Sequence, residues 1–233
     1  MIKIIAEIGQ NHNGDIVLAK ELIDAAKDNG ADIAKFQVYD AKSLFSKTDN
    51  PWFDYNCSTE LTRDDIYDLN DYCIKAGIEF GASVFDIERI KWLEDIKLKR
   101  YKVASRSVND TQLIKNITKL NKPMIVSLGM WEGDEFPIIQ TNATVDFLYC
   151  ISKYPTDLED LKFSSVDFSR YGGFSDHTIG TSAAIISLSR GAKILEKHFT
   201  LDKKMHGPDH SCSMVPSELK EISDFKNQLI ESL

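Results

Sequence analysis

The sequence predicts a (β/α)8 barrel, the TIM-barrel fold, on three observations. Short β-branched runs alternate with amphipathic segments from one end of the chain to the other, eight such runs can be counted, and 233 residues suit eight strand–helix units with little decoration. No internal repeat, low-complexity tract or linker interrupts the alternation, so residues 1–233 are read as a single domain.

In chain order, IKIIAEI (2–8) is the first strand. A helix over 16–29 follows Asp15, with Val17, Leu18, Leu22, Ile23 and Ala26 at helical spacing and a stop at Gly30. DIAKFQV (32–38) is the second strand. Residues 40–61 form a long, aromatic-rich loop carrying Phe45, Trp52, Phe53 and Tyr55, a lid candidate. Thr62, three before Asp65, caps a helix over 62–76 that buries Ile66, Leu69 and Cys73 and ends at Gly77. Strands at 78–84 and 100–105, a helix at 110–120 and a strand at 123–128 come next. The connection 129–144 holds Pro137 and leaves room for a helical turn or two. A strand at 145–151, a helix at 157–168, strands at 172–176 and 193–199 around a helix at 180–190, and a last helix over about 217–231 complete the pattern. That last helix carries Leu219, Ile222, Phe225 and Leu229 on one face.

Composition excludes several classes. A net charge of −8 and a pI near 5.2 offer no basic stripe for nucleic acid, although a local basic pocket for a small anion is compatible with them. No apolar run approaches membrane-spanning length and residues 2–8 already read as a strand, so no membrane partner and no signal peptide are expected. Cys57, Cys73, Cys150 and Cys212 are scattered without a CxxC pair, which suits reduced thiols in a cytoplasmic enzyme.

The chemistry collects at strand ends, where barrels of this kind build their sites. Four of the five histidines fall within residues 177–210. His177 and His198 each end a strand, and with Asp176, Glu196 and Asp209 nearby they make a divalent-metal site open to a small substrate. A lone buried histidine is more often a packing residue, and a lone serine at a strand end is as often a helix cap. The other strand ends, however, read Glu7, Lys35 with Gln37, Ser83, Ser105 with Arg106, Ser127 and Tyr154, and capping does not explain the whole ring. Lys35, Lys102 and Arg106 with the serine hydroxyls suit a phosphate and a carboxylate held together. Lysines inside parallel strands are costly unless they meet an anion. A phosphorylated enol plus an aldehyde satisfies these features.

The segments AEIGQNHNGD (6–15), AKFQ (34–37), YKVAS (101–105), KPMIVSLGM (122–130), YPT (154–156), SDHTIG (175–180), EKHFT (196–200) and GPDH (207–210) closely resemble the sialic acid synthase family of phosphoenolpyruvate-dependent condensing enzymes, with the motifs in order from residue 2 to about residue 220. The resemblance implies a transferase of sialic acid biosynthesis, a homodimer whose (β/α)8 synthase domain condenses phosphoenolpyruvate with an N-acetylmannosamine-type aldose. The products are a nine-carbon 2-keto acid (a nonulosonate) and phosphate, and the metal is Mn²⁺ or Mg²⁺. By motif, it implies that His177 and His198 ligate the metal, that Lys35, Ser83, Lys102, Ser105, Ser127 and Ser175 hold phosphoenolpyruvate, and that Glu7, Gln37, Tyr154 and Asp209 face the sugar. Glu7, Lys102 and Asp209 would then serve catalysis.

Two departures stand beside this. Family members commonly read SGE after the fourth strand, with the glutamate implicated in proton transfer, whereas here the segment is SRS, placing Ser107 at the carboxylate position and Arg106 beside it. Glu7 or a water relayed by Ser107 is left to take the proton. The family also carries a C-terminal antifreeze-like domain that donates an arginine to the partner's sugar site, and this sequence ends at Leu233, just after the last helix of the barrel. Recognition of an N-acyl group is therefore open, and two alternatives stand behind the leading one: a related synthase with another aldehyde acceptor, and a non-catalytic barrel that binds a ligand or partner.

Overall fold

In a computed structural model, which describes residues 2–232, eight parallel strands close in sequence order into one barrel. Strand β1 (Lys3–Gly9) pairs with β2 (Ile33–Val38) on one side and with β8 (Ile194–His198) on the other, and β3 (Glu79–Val84), β4 (Tyr101–Val103), β5 (Met124–Ser127), β6 (Val145–Cys150) and β7 (Gly173–Asp176) fill the circle. Among the described residues the helices are α1 (Ile16–Asp28), α2 (Ala41–Leu44), α3 (Phe53–Ser58), α4 (Arg63–Ala76), α5 (Ile87–Asp95), α6 (Thr111–Thr118), α7 (Ser182–Ser189) and α8 (Pro216–Glu231).

Local signals account for most boundaries. Asp15 caps α1 by accepting from the Val17 and Leu18 amides, and Thr62 with Asp65 closes a reciprocal capping box on α4. Gly77, at φ 74°, ends α4 in the left-handed conformation that a side chain would disfavour.

Three expectations change. Helix α5 was not expected, because IERIKWLED is short and strongly charged, yet it starts on an Asp86 cap and buries Ile90 and Leu93. The helix expected over 157–168 is instead two 3-10 turns, Leu158–Leu161 and Phe163–Ser165, broken at Lys162 with φ 44°. The connection 129–144 contains no helix. Beside β6, where the helical ring is thus thin, aromatic side chains take its place: Phe136 lies 4.7 Å from Tyr171 and 5.1 Å from Phe147, ring centre to ring centre, and Phe163 packs on Phe174 at 5.1 Å.

The period-two alternation of the strands divides the molecule into two cores. Outward-facing side chains such as Ile4, Phe36, Val103, Phe174 and Leu195 pack against the helices in one large cluster. A smaller cluster of Ile5, Ile33, Ile125, Leu148 and Ile194 plugs the lower barrel interior. Gly173 is required there, since a Cβ on it would meet the Ile194 carbonyl oxygen at 1.9 Å. Two residues further along several of these strands, the interior changes from isoleucine to Glu7, Lys35, Ser127, Ser175 and Glu196, so the plug is the floor of a polar chamber.

The same alternation corrects one sequence expectation. Asp176 lies outside the barrel wall rather than beside the histidines. Its Oδ2 takes a hydrogen bond from the Lys197 ammonium at 2.9 Å, both side chains fully buried, and its Oδ1 accepts from the amide and hydroxyl of Thr178, each at 2.8 Å. Lys197→Met should leave that carboxylate buried and unpaired and destabilise the fold by about 3–5 kcal/mol, read from urea unfolding; a loss under about 1 kcal/mol would show the pair to be dispensable.

Buried His12, just beyond β1, accepts from the Gly14 amide through Nδ1 at 3.2 Å, while its Nε2 finds no partner among the described residues. Desolvation lowers its pKa to about 4, against the opposing pull of Asp65 and Asp15. The unfolded chain takes up this proton near pH 6.5 and the folded chain only near 4. Stability should therefore be full above pH 6.5 and fall by up to about 3 kcal/mol as the pH drops to 4, and His12→Asn should flatten that part of the profile.

Candidate active site

The inner chamber is a cavity of about 60 Å³ at the carboxyl ends of the strands. Each strand delivers its group by register: Glu7 on β1 lies opposite Lys35 on β2 and His198 on β8, and Ser83 on β3 lies opposite both Gln37 and Lys102.

Four buried ions organise this layer. The Lys35 ammonium sits 2.6 Å from Glu7 Oε2, 3.5 Å from Glu196 Oε2 and 2.7 Å from the Ser83 hydroxyl. The Lys102 ammonium donates to the Ser127 hydroxyl at 2.8 Å and lies 3.3 Å from Glu196 Oε1. Ser175 donates to Glu196 Oε1 at 3.0 Å, and Gln37 donates to Glu7 Oε1 at 3.2 Å. The electrostatic outcome differs between the two lysines. Burial opposes charge on Lys35, but the Glu196 and Glu7 carboxylates overcome it and hold its pKa above the ordinary value. On Lys102, burial, reinforced by repulsion from Lys35, outweighs Glu196 and holds the pKa below the ordinary value. Burial would raise the Glu196 carboxyl, yet Lys102 and Lys35 bring it down. Lys102 is thus a desolvated cation short of negative charge, the property of an anion-binding group.

Glu196 is the residue that sequence reasoning left out of the phosphoenolpyruvate set. Its signal was present in the alternation of LEKH, since Glu196 shares the inward face with His198 while Lys197 faces out.

At the mouth of the chamber the His177 and His198 rings lie 5.8 Å apart, with Tyr154 4.1 Å from His177 and 6.0 Å from His198, centre to centre. His177 Nδ1 is 2.8 Å from the Ile151 carbonyl oxygen. A carbonyl only accepts, so Nδ1 carries a proton, which leaves Nε2 as the ring nitrogen that could meet a ligand. Neither ring nitrogen of His198 has a hydrogen-bond partner among the described residues, its Nδ1 standing 3.8 Å from Asp209 Oδ2. These two free imidazoles fit a divalent ion. No group of three His, Cys, Asp or Glu side chains converges among the described residues, so such an ion would keep positions open for water or substrate oxygens.

Beyond the histidines a second cavity of about 460 Å³ opens, lined by Gln37, Arg106, Tyr154, His198 and Asp209 and by aromatic side chains of the 40–61 segment. That segment forms one wall of the cavity and is tied to the barrel. Tyr39 bonds the Asn56 carbonyl and the Thr59 hydroxyl, Arg89 reaches Glu60 at 3.1 Å, and Trp52 packs on Tyr55 and His206. Its aromatic side chains, Phe45, Trp52, Phe53 and Tyr55, are half-buried, with Phe45 and Trp52 lining the cavity.

Ser105 joins the chambers, accepting from the Gly129 amide at 3.1 Å and lying 3.3 Å from Cys150 Sγ. The SRS segment is a 3-10 turn in which Arg106 lines the outer cavity, bonds the Leu44 carbonyl and stacks on Phe45. Ser107 is buried beneath the turn and lines neither cavity, which removes it as a proton relay.

A model of the NeuB family matches residues 22–233. The chain belongs to that family. It is 35% identical over 247 residues to the N,N'-diacetyllegionaminic acid synthase of Legionella pneumophila, covering 94% of this chain and 69% of the relative. It is 34% identical to the human N-acetylneuraminate-9-phosphate synthase, covering 94% of this chain and 67% of the relative. Among solved structures, the N-acetylneuraminic acid synthetase of Leptospira borgpetersenii, in complex with citrate, superposes with a TM-score of 0.91 at 27% identity, over 99% of this chain and 84% of that one. This chain therefore spans about two thirds of the length of these curated relatives.

Lys102→Gln should weaken phosphoenolpyruvate binding by at least about tenfold in calorimetry without sugar, because a charge-assisted bond to the anion is lost. Equal affinity in the variant would place the anion elsewhere.

Proposed function

We propose that this protein is a metal-dependent nonulosonate synthase, condensing phosphoenolpyruvate with an N-acetylmannosamine-type aldose and releasing inorganic phosphate. The observation that carries the reading is the paired chamber: two buried ammonium groups with serine hydroxyls at the inner end, opening past two free imidazoles into a larger cavity of mixed polarity. Family membership supports it, and the relatives' names differ in the sugar made, which agrees with an inner site of one character and an outer cavity that varies.

In this reading Lys35 and Lys102, with Ser83, Ser105, Ser127 and Ser175, hold the phosphate and carboxylate of phosphoenolpyruvate, whose charge two ammonium groups that already face Glu7 and Glu196 do not by themselves neutralise. A divalent ion, Mn²⁺ or Mg²⁺, on His177 and His198 would supply the missing positive charge and polarise the aldehyde oxygen. Enol carbon C3 bonds to the aldehyde carbon, water adds at C2, and the tetrahedral adduct expels phosphate by C–O cleavage. Glu7, in the inner chamber and bonded to Gln37, which lines both cavities, takes the proton from the water in the absence of a carboxylate at Ser107. Tyr154 and Asp209, on the outer side of the histidines, hold sugar hydroxyls. A second reading, another aldehyde acceptor, is favoured by one observation: Arg106 puts into the outer cavity a guanidinium with no carboxylate partner among the described residues.

Phosphate release from phosphoenolpyruvate, assayed with Mn²⁺ against a panel of aldoses, should require both the metal and an aldose. Chelation should abolish it, and His177→Ala should lose it while remaining folded. Full turnover by that variant in chelator would overturn the metal assignment.

A further inference from the structure

One side chain far from the chemistry grips both ends of the segment that walls the outer cavity. Arg89, in the first turn of α5, is buried and lines neither cavity. Its Nη2 lies 3.1 Å from Glu60 Oε1 and 3.5 Å from Asp40 Oδ2, and its Nε lies 3.4 Å from Asp86 Oδ2. The guanidinium sits over the Trp92 ring, 4.7 Å from its centre. Asp40 and Glu60 bracket the wall segment. Asp40 caps α2 by accepting from the Ser43 amide at 2.8 Å, and Glu60 Oε2 accepts from the Ala41 amide at 2.8 Å, so the two ends of the segment meet. Asp86 caps α5 and directly follows Phe85, which lines the outer cavity. A single cation thus joins the connection after β2 to the connection after β3.

The charges at this junction do not balance. Three carboxylates converge on one guanidinium, and Glu88 stands a little further off at 3.9 Å. With the cation in place the carboxylates are drawn together; without it they are like charges a few ångströms apart, and the ends of the segment are pushed apart. What hangs on those ends is one-sided. Leu44, Phe45, Asn50, Trp52 and Asn56 of the segment line the outer cavity, and none of them lines the inner chamber, whose groups come from the strands and their ends. We infer that Arg89 is a positioning residue for the aldose: it holds the wall of the outer cavity in place by charge balance, and so sets the affinity for the sugar without touching it and without acting on phosphoenolpyruvate. The inference rests on the two-substrate reading above.

The test compares the wild type with Arg89→Met, which keeps an apolar stem over Trp92 and removes the charge, and with the triple variant Asp40→Asn, Glu60→Gln, Arg89→Met, whose amide side chains can still accept from Ser43 and Ala41 but no longer repel. In Arg89→Met the KM for N-acetylmannosamine should rise at least about fivefold, while kcat and the phosphoenolpyruvate affinity measured by calorimetry without sugar move less than about twofold. Between about 0.05 and about 0.5 M NaCl that rise should shrink by about half or more, because salt screens like charges that water can reach, and the triple variant should return to within about twofold of the wild type. Hydrogen exchange read by mass spectrometry on peptides from 41–59 needs no turnover; it should speed up at least about fivefold in Arg89→Met and recover in the triple variant. Arg89→Lys, a point charge that cannot fork between Glu60 and Asp86, should fall between the two and carries the test if the methionine variant misfolds. An unchanged KM in Arg89→Met, or a loss of phosphoenolpyruvate affinity as large as the loss of aldose affinity, would overturn the role of Arg89. Failure of the triple variant to recover would make the loss one of packing and overturn it as well. Absence of phosphate release with every aldose, in a wild type whose exchange responds to these variants as stated, would instead overturn the synthase reading and leave the charge clamp standing.

Discussion

The site depends on a layer of four ions sealed inside a barrel. Glu7, Lys35, Lys102 and Glu196 are each at most 6% exposed, and each would be prohibitive to bury alone. They are tolerated because parallel register sets Glu7 on β1 beside Lys35 on β2, while Glu196 on β8 reaches Lys35 and, across the barrel interior, Lys102 on β4. The matching is uneven. Lys35 has two carboxylates close by, while Lys102 shares one and leans on Ser127, and this deficit gives the chamber its appetite for an anion.

Strand alternation turns one stretch of sequence into two unrelated devices. In SDH and EKH, Ser175, Glu196 and His198 face the chamber, with His177 at its mouth, while Asp176 and Lys197 form a sealed pair in the outer layer. The outer pair joins β7 to β8 by a charge-assisted bond, so the wall that presents the His177 and His198 imidazoles is tied from behind. The inner chamber is thereby rigid on the side where geometry matters most to the chemistry.

The outer cavity is built on another principle. Its walls come from connections: the 40–61 segment, the turn after β4, the strand-six loop with Tyr154 and the loop bearing Asp209. Loops can change residue by residue without disturbing the barrel. The inner chamber is thus fixed by strands and the outer cavity largely by connections, and Gln10 and Arg106 belong to the latter.

Much was legible in the sequence. Eight strands in order follow from β-branched runs, and the ring of strand-end groups follows from the rule that barrels gather their chemistry at one rim; the structure brings Glu7, Lys35, Ser83, Lys102, Ser127, Ser175, His177 and His198 to one chamber. Sequence also carried the family, through short motifs in fixed order. Tertiary structure alone decided which neighbours share a face and which partners meet. It sent Asp176 outward to Lys197, made Glu196 the hub of the lysines, tucked Ser107 beneath its turn, packed aromatic side chains where helices were thin and left Gln10 Oε1 without a hydrogen-bond partner among the described residues. The physical reason is common to all five. Local sequence sets backbone conformation through short-range sterics and capping, but the worth of a buried polar group depends on atoms brought to it from strands and loops that can lie well over a hundred residues away.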